Sequence, residues 1–174
     1  VRNLLLKKEV KDWDLTTTAT PQQILKTFPS GFYDNQFGTV GLPLKNKGDL
    51  PAGRQVVEIT TYRTEYGYKD RRHPEKVSWG KSIKEDLSRR DFTINAIALR
   101  LILNTEDKLS ETEIIDPFSG QEDIKNKIIK AVGNPAKRFK EDALRLMRAI
   151  RFATTLLFTI EENTWNEIVN DSKL

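Results

Sequence analysis

Two aspartates near the start of the chain, Asp12 and Asp14, are separated by a single residue in a segment of apolar and β-branched residues over 10–16. If this segment is a β-strand, both side chains point to one face, with Cα atoms roughly 6–7 Å apart. Two carboxylates on one face repel each other unless a positive charge lies between them. Hard oxygen ligands suit Mg²⁺ or Mn²⁺. The pair therefore predicts a divalent-cation site, and the alternative is a charged strand end at the surface.

A third carboxylate, Glu58, lies within the clearest strand pattern of the chain, over residues 55–62. Alternation puts it on one face with Val56 and Thr60, and we expect it to be half-buried and to need a partner. One alternative is a cross-strand pair with a lysine or an arginine. The other is a metal shared with the two aspartates, because three carboxylates on adjacent strands form the framework of a two-metal phosphoryl-transfer site.

The composition narrows the classes of protein and of site. The chain has 174 residues, 31% of them charged and 37% hydrophobic, which fits one domain or a domain with an appendage. It has no cysteine and a single histidine, His73, so carboxylates are the expected metal ligands. We find no apolar run that could span a membrane and no signal-peptide pattern, and we expect a cytoplasmic protein without a membrane partner.

Basic residues are unevenly distributed. The net charge is +4, which permits nucleic-acid binding without demonstrating it. A late segment carries a group of cations: Lys137, Arg138, Lys140, Arg145, Arg148 and Arg151. On one helix face they could follow a phosphate backbone, and the alternative is an ordinary solvated face.

Periodicity and turn signals predict an α/β (α+β) arrangement over residues 1–135, followed by an all-helical segment over 136–174, with the chain cut at both ends. Thr20 as N-cap, Pro21 as first helical residue and Gln23 two positions later predict the beginning of a helix. Helices are predicted over 1–7, 20–27, 82–96, 119–127, 136–157 and 161–169. Strands are predicted over 10–16, 39–44, 55–62, 97–103, 114–118 and 128–132. We expect a long loop over 63–81 and a turn over 46–49, and in the longest helix we expect core positions at Phe139, Ala143, Leu146 and Ile150.

Ordered motifs along the whole chain resemble the class II transfer-RNA nucleotidyltransferase (CCA-adding enzyme) and bacterial poly(A) polymerase family. The similar segments are Val-Arg-Asn at 1–3, Asp-Trp-Asp at 12–14, the strand at 57–63, the run Glu-Asp-Leu-Ser-Arg-Arg-Asp-Phe-Thr-Ile-Asn-Ala at 85–96, Asp-Pro-Phe-Ser-Gly at 116–120, and Glu-Asp-Ala-Leu-Arg at 141–145. The resemblance implies a polymerase-β-like head with a mixed sheet and the start of a helical neck. It also implies that the head covers residues 1–135 and the neck 136–174.

The same resemblance implies an activity and a set of site residues. The activity is addition of CCA to transfer-RNA 3′ ends from CTP and ATP, with two Mg²⁺ ions held by Asp12 and Asp14 and completed by Glu58. The implied nucleotide-binding residues are Arg2, Arg90, Asp91, Asn95, Asp142, Arg145, Arg148 and Arg151. Among them Arg2 would meet the triphosphate, and Asp91 with Asn95, one helical turn apart, would reach the ribose beside Arg90.

Asp142 and Arg145 are expected to present an acceptor and a donor on one helix face and to read the edge of the incoming base. The alternative for this pair is an ordinary surface ion pair, and Glu141 with Arg145 is a second possible surface ion pair.

Two rival functions stay open. One is a poly(A) polymerase or A-adding enzyme of the same family, against which the long 63–81 segment counts moderately. The other is a non-catalytic module that binds RNA or nucleotides.

Overall fold

The computed structural model describes residues 1–10, 13–33, 38–43, 56–68 and 76–172. The helices are α1 Arg2–Leu5, α2 Pro21–Thr27, α3 Ile83–Ser88, α4 Gly120–Lys125, α5 Pro135–Glu141, α6 Leu144–Leu156 and α7 Glu162–Asp171, with a 3₁₀ turn at Thr93–Asn95. The strands are β1 Asp14–Thr17, β2 Phe32–Tyr33, β3 Thr39–Pro43, β4 Val56–Thr61, β5 Arg63–Tyr66, β6 Lys76–Trp79, β7 Ala98–Leu103, β8 Leu109–Ile115, β9 Ile128–Ile129 and β10 Thr159–Ile160. Asp12, His73 and the turn predicted over 46–49 lie outside the described residues.

The chain divides into two compact units. The sheet unit comprises Val10–Glu65 and Val77–Asp86, and the helical unit comprises Val1–Glu9, Tyr66–Lys76 and Leu87–Leu174. These bounds differ from the boundary that we predict at residue 135, and the division into a head and a neck stays a prediction.

The sheet unit contains a four-stranded sheet in the order β1-β4-β3-β2, and the predicted mixed character of the sheet is observed. β1 runs parallel to β4, whereas the β4–β3 and β3–β2 pairs are antiparallel. Along β4 the faces alternate as expected, because Thr61 is fully buried while Val56 and Glu58 are exposed. The expectation of a half-buried Glu58 is therefore wrong, since this residue shares the open face of the sheet with Val56.

Helix α2 begins as its sequence predicts. The Thr20 hydroxyl accepts a hydrogen bond from the Gln23 backbone N–H at 3.3 Å, and the Gln23 side chain accepts one from the Thr20 N–H at 2.8 Å. Pro21 occupies the first helical turn, where no backbone donor is needed. Local capping chemistry accounts for this boundary.

Within the predicted long loop over 63–81, the structure describes two strands, β5 and β6. β5 and β6 pair as a two-stranded sheet, and the Thr64 hydroxyl donates to the Ser78 carbonyl at 3.4 Å. The sequence marks these strands only weakly, because β5 is mostly polar and charged and the alternation of Val77 and Trp79 in β6 covers only four residues.

The core of the helical unit gathers side chains from across its length. Its buried members are Phe92, Ile94, Ile97, Ile124, Ile129, Phe139, Ala149, Phe152, Phe158 and Ile168. The predicted helix over 82–96 ends already at Ser88. Backbone bonds explain this, because the Thr93 N–H donates to the Lys130 carbonyl at 2.9 Å and the Val132 N–H donates to the Asp91 carbonyl at 3.0 Å. The segment around Phe92 is thus extended and buried.

The predicted helix over 136–157 is two helices, α5 and α6, separated at Asp142 and Ala143. The backbone of Asp142 is extended, and its side chain accepts a hydrogen bond from the Leu144 N–H at 2.9 Å. The break shifts the helical phase, so Ile150 is exposed where we expect a core position, while Phe139 is buried as predicted.

Residues 136–174 are also not entirely helical. Leu157 adopts a left-handed conformation with φ of 58° that ends α6. The following strand β10 pairs with β9 in parallel, and the Thr159 N–H donates to the Lys127 carbonyl at 2.8 Å. Within the residues that the structure describes, no helix is long and apolar enough to cross a membrane.

We predict that Glu161→Ala destabilises the protein by about 1 kcal/mol at neutral pH, because Glu161 caps α7. Its carboxylate accepts hydrogen bonds of 2.8 Å from the Thr164 N–H and from the Thr164 hydroxyl. Burial acts to raise the pKa of Glu161, but these bonds, a bond from Asn163 and the charge of Lys130 together hold the pKa below its ordinary value.

A carboxyl group whose pKa is lowered on folding stabilises the protein above the unfolded-state pKa. That stabilisation is lost as the pH falls through the folded-state pKa. Denaturant unfolding of wild type and of Glu161→Ala across acidic and neutral pH should therefore show a difference that narrows in acid. An equal difference at every pH would contradict the role of the ionised cap.

Candidate functional site

In the sheet unit, two of the three predicted carboxylates are brought together. The parallel register of β1 and β4 pairs Asp14 with Glu58, on strands that lie about 4.8 Å apart in such sheets. Both side chains are exposed, and among the described residues neither makes an ion pair or a side-chain hydrogen bond. Gly41 lies opposite Glu58 on the other side of β4, so the alternative of a cross-strand Lys or Arg pair is not observed there.

The donor chemistry of this pair fits a hard divalent cation. Two carboxylates on neighbouring strands of one sheet, without ion-pair partners among the described residues, offer the oxygen ligands that Mg²⁺ prefers. No group of three or more metal-ligating side chains is present in the part of the chain that the structure describes. The third carboxylate, Asp12, lies outside that part, and its contribution stays a prediction.

In the helical unit, four predicted residues form one hydrogen-bonded chain. The Arg2 guanidinium donates to the Asn95 side-chain oxygen at 2.7 Å. The Asn95 amide in turn donates to the Asp91 carboxylate at 3.0 Å. The other oxygen of Asp91 accepts from Arg148 at 2.7 Å. Arg2 and Arg148, which are far from Asp91 and Asn95 in the sequence, thus belong to one site with them.

The backbone that presents Asp91 and Asn95 differs from the predicted helix. Asp91 also accepts from the Phe92 N–H at 2.8 Å, and the 3₁₀ turn that follows brings Asn95 back to Asp91. Arg90 lies beside them, and its guanidinium donates to the Asn95 carbonyl at 3.3 Å. The predicted proximity of these three residues is therefore observed, although the helix that we expected to produce it is absent.

Three guanidinium groups surround the ring of Phe152. Their central carbons lie 4.9 Å (Arg2), 5.2 Å (Arg148) and 5.5 Å (Arg151) from the ring centroid. Burial lowers the pKa of Arg2, the charges of Arg148 and Arg151 lower it further, and Asp91 opposes them. We call these three arginines and Phe152 the arginine cluster, and its excess of positive charge suits an anionic ligand.

Arg145 lies in a separate, buried ion-pair network. Glu141 is bridged between Arg138 at 2.6 Å and Arg145 at 2.9 Å. The two guanidinium groups also donate to neighbouring carbonyls, Arg138 to that of Ser88 at 2.9 Å and Arg145 to that of Arg89 at 3.0 Å. The Glu141–Arg145 pair exists, but it is buried rather than on the surface.

The predicted pairing of Asp142 with Arg145 on one helix face is wrong as geometry. Asp142 precedes α6, and its carboxylate caps that helix through the Leu144 N–H. The link between the two residues is a backbone bond from the Arg145 N–H to the Asp142 carbonyl at 3.1 Å. The predicted single basic face is also divided, since Arg138 is buried with Arg145 while Arg151 is exposed.

Phe152 carried no predicted role, and Glu141 was expected only as an alternative ion-pair partner of Arg145. Each lies four positions from an arginine that it contacts, Phe152 from Arg148 and Glu141 from Arg145. Side chains at this spacing are neighbours on a helix surface, so the spacing was the available signal. For Glu141 the spacing indicated the pair with Arg145, which forms although the helix breaks between the two residues.

Comparison with known proteins identifies the family. Residues 1–130 match the model of the poly A polymerase head domain, which is most of the chain. The chain therefore belongs to the poly(A) polymerase head-domain family, and the resemblance seen in its motifs is confirmed.

Curated relatives and solved structures agree with this assignment. The chain is 44% identical over 175 residues to the CCA-adding enzyme of Lactobacillus helveticus (strain DPC 4571), covering 100% of this chain and 40% of that protein. The crystal structure of the Bacillus stearothermophilus CCA-adding enzyme in complex with CTP matches at TM-score 0.78 and 37% identity, over 99% of this chain and 38% of that one.

A third match is a transfer-RNA nucleotidyltransferase complexed with a primer transfer-RNA and an incoming ATP analogue. Its TM-score is 0.69 at 30% identity, over 99% of this chain and 44% of that chain. The predicted nucleotidyltransferase head fold with a mixed sheet is confirmed by these likenesses. The chain spans about 40% of the length of the curated relatives it matches.

Proposed function

We propose that the whole protein adds CCA to the 3′ ends of transfer-RNA, using CTP and ATP, without a nucleic-acid template. The observation that carries the proposal is the register that pairs Asp14 with Glu58 on neighbouring parallel strands. The names of the relatives support the activity, and the CTP complex and the primer complex among the solved structures support the substrates. The cytoplasm is the proposed location, in keeping with a chain that contains no cysteine.

We further propose that Asp14 and Glu58, with Asp12, hold two Mg²⁺ ions. Bound there, the ions would lower the pKa of the attacking 3′ hydroxyl and stabilise charge on the leaving pyrophosphate. The exposure of Asp14 and Glu58, and the lack of a described ion-pair partner for either, support this assignment.

The nucleotide-binding residues divide by chemistry. Asp91 and Asn95, with Arg90 beside them, provide the acceptor and amide groups proposed to bind the ribose. The cationic groups of Arg2, Arg148 and Arg151 are proposed to bind the phosphates. Asp142 and Arg145 are proposed to read the base, within a neck that would begin near residue 136.

The proposed function is tested by incubating the full-length protein with transfer-RNA that lacks its 3′ CCA, offering CTP, ATP, UTP and GTP separately and then CTP with ATP. Incorporation of CTP and ATP, ending after CCA, is the expected result. Incorporation of ATP alone would indicate an A-adding or poly(A)-forming enzyme of the family. Tight RNA or nucleotide binding with no incorporation would indicate a binding module.

A change at Asp91 is expected to alter sugar selection. We predict that Asp91→Asn lowers the preference for ATP over dATP by about tenfold, since a carboxylate accepts from a ribose hydroxyl that dATP lacks. The measurement is kcat/KM for both nucleotides in the full-length protein.

Asp123→Asn provides the matched control for Asp91→Asn. Asp123 accepts a hydrogen bond of 2.6 Å from the Thr93 hydroxyl, so it supports the same 3₁₀ turn without a proposed contact to the nucleotide. We expect this variant to keep the wild-type preference for ATP. The same loss of preference in both variants would show that the turn, and not the Asp91 carboxylate, determines sugar selection.

A further inference from the structure

The arginine cluster brings together more positive charge than its surroundings balance. Three guanidinium groups, those of Arg2, Arg148 and Arg151, lie within 5.5 Å of the centroid of one aromatic ring. Of these, Arg148 forms an ion pair with Asp91. Among the described residues, the guanidinium of Arg151 has no ion pair or side-chain hydrogen bond, and its described contact is the ring of Phe152. Like charges held this close repel, so something must offset the repulsion.

The ring of Phe152 is itself fixed by the core. It is buried, and it meets the ring of Phe92 edge to face, with centroids 5.9 Å apart and an interplanar angle of 86°. Phe92 is fully buried, so the position of the Phe152 ring is set by packing on its inner side. The electron-rich face of a ring in a partly desolvated setting attracts cations more strongly than it would in water.

We infer that Phe152 is a positioning residue, whose ring holds the guanidinium groups of Arg2, Arg148 and Arg151 together as one site for the phosphates of the incoming nucleotide. The inference rests on the proposed function for the identity of the ligand. Three positive charges beside one carboxylate leave an excess that matches a polyphosphate. Arg2 and Arg148 are also held by hydrogen bonds to Asn95 and Asp91, whereas Arg151 depends on the ring alone among its described contacts.

The test is to replace Phe152 in the full-length protein with mono-, di- and trifluorinated phenylalanine. Fluorine withdraws electron density from the ring face and leaves the ring close to its original size, so packing on Phe92 is retained. The dissociation constants for inorganic tripolyphosphate and for ATP are measured by calorimetry. We expect both to rise stepwise with fluorine content, by about three- to tenfold at three fluorines, with an unchanged unfolding midpoint.

Phe158 provides the matched control, since it is as buried as Phe152 in the same core and no guanidinium lies over its face within the described residues. The same fluorination series there should leave both dissociation constants unchanged. Dissociation constants that do not change across the Phe152 variants, or that change equally in the Phe152 and Phe158 variants, would overturn the inference.

Failure of the proposed function is distinguishable from failure of this inference. If the wild-type protein binds tripolyphosphate but adds no nucleotide, the proposed function is wrong. Tripolyphosphate binding by the fluorinated Phe152 variants still tests the role of Phe152 in that case. If the wild type adds CCA and the dissociation constants do not change across the fluorinated Phe152 variants, the inferred role of Phe152 alone is wrong.

Discussion

Asp14→Ala is expected to lower the rate of nucleotide addition by the full-length protein by roughly 10²–10⁴-fold, because a metal ion contributes several kcal/mol of charge stabilisation in a phosphoryl-transfer step. Asp14 begins β1 and faces Glu58 across the parallel register, and both carboxylates are exposed. Removing one of them leaves a single described ligand on this face. Single-turnover addition to transfer-RNA in Mg²⁺ measures the loss, and Glu58→Ala should give a loss of the same kind.

The fold should survive this substitution, because Asp14 is exposed and its loss leaves no described partner unsatisfied. Circular dichroism and the unfolding midpoint check this. Glu111→Ala is the matched control, since Glu111 is another exposed carboxylate on a strand, with no proposed part in metal binding. Near-normal addition by folded Asp14→Ala, or an equal loss in Glu111→Ala, would contradict the two-metal proposal.

Local signals in the sequence were enough for several elements. The capping residues Thr20 and Gln23 bond to each other within one turn, so the beginning of α2 follows from the sequence alone. The alternation along β4 follows from the pleat of a strand, and it correctly puts Glu58 and Val56 on one face. The exposure of that face depends on which segments cover the sheet, and the alternation of residues along one strand does not predict it.

Other features depend on contacts between distant segments. The capping pattern at 82–85 predicts a helix that continues into the segment around Phe92, but Phe92 pairs with Ala131 across a β-bridge and is buried. Tertiary pairing overrides local helix preference there. The break at Asp142 arises from a side chain that caps the next helix, a competing local bond that the apolar period cannot reveal.

The contacts of the candidate site likewise divide into those that local spacing predicts and those that join distant segments. Arg148 and Phe152 lie one helical turn apart and could have been joined from spacing alone. The bond from Arg2 to Asn95 joins residues 93 positions apart, and no periodicity predicts it. The family resemblance of the motifs predicted these residues, and the structure shows the hydrogen bonds that connect them.

Arg145→Ala is expected to lower the stability of the protein and to lower its selectivity among the four nucleotides. The guanidinium is buried, pairs with Glu141 and donates to the carbonyls of Arg138 and Arg89. Losing a buried ion-pair partner costs about 3–5 kcal/mol of folding free energy. A guanidinium has five N–H donors, so donors remain for a nucleobase edge beyond those three contacts. If Arg145 reads the base, discrimination against UTP and GTP should fall about tenfold for each group left unmatched.

Arg138→Ala separates these two effects, because Arg138 is buried in the same network and pairs with the same carboxylate of Glu141. Both variants should unfold at similarly lower denaturant concentration, measured in the full-length protein at low temperature. The kcat/KM values for CTP, ATP, UTP and GTP then decide the matter. We expect selectivity to fall in Arg145→Ala and to persist in Arg138→Ala. Equal selectivity in the two variants would show that Arg145 serves the ion-pair network alone and takes no part in choosing the base.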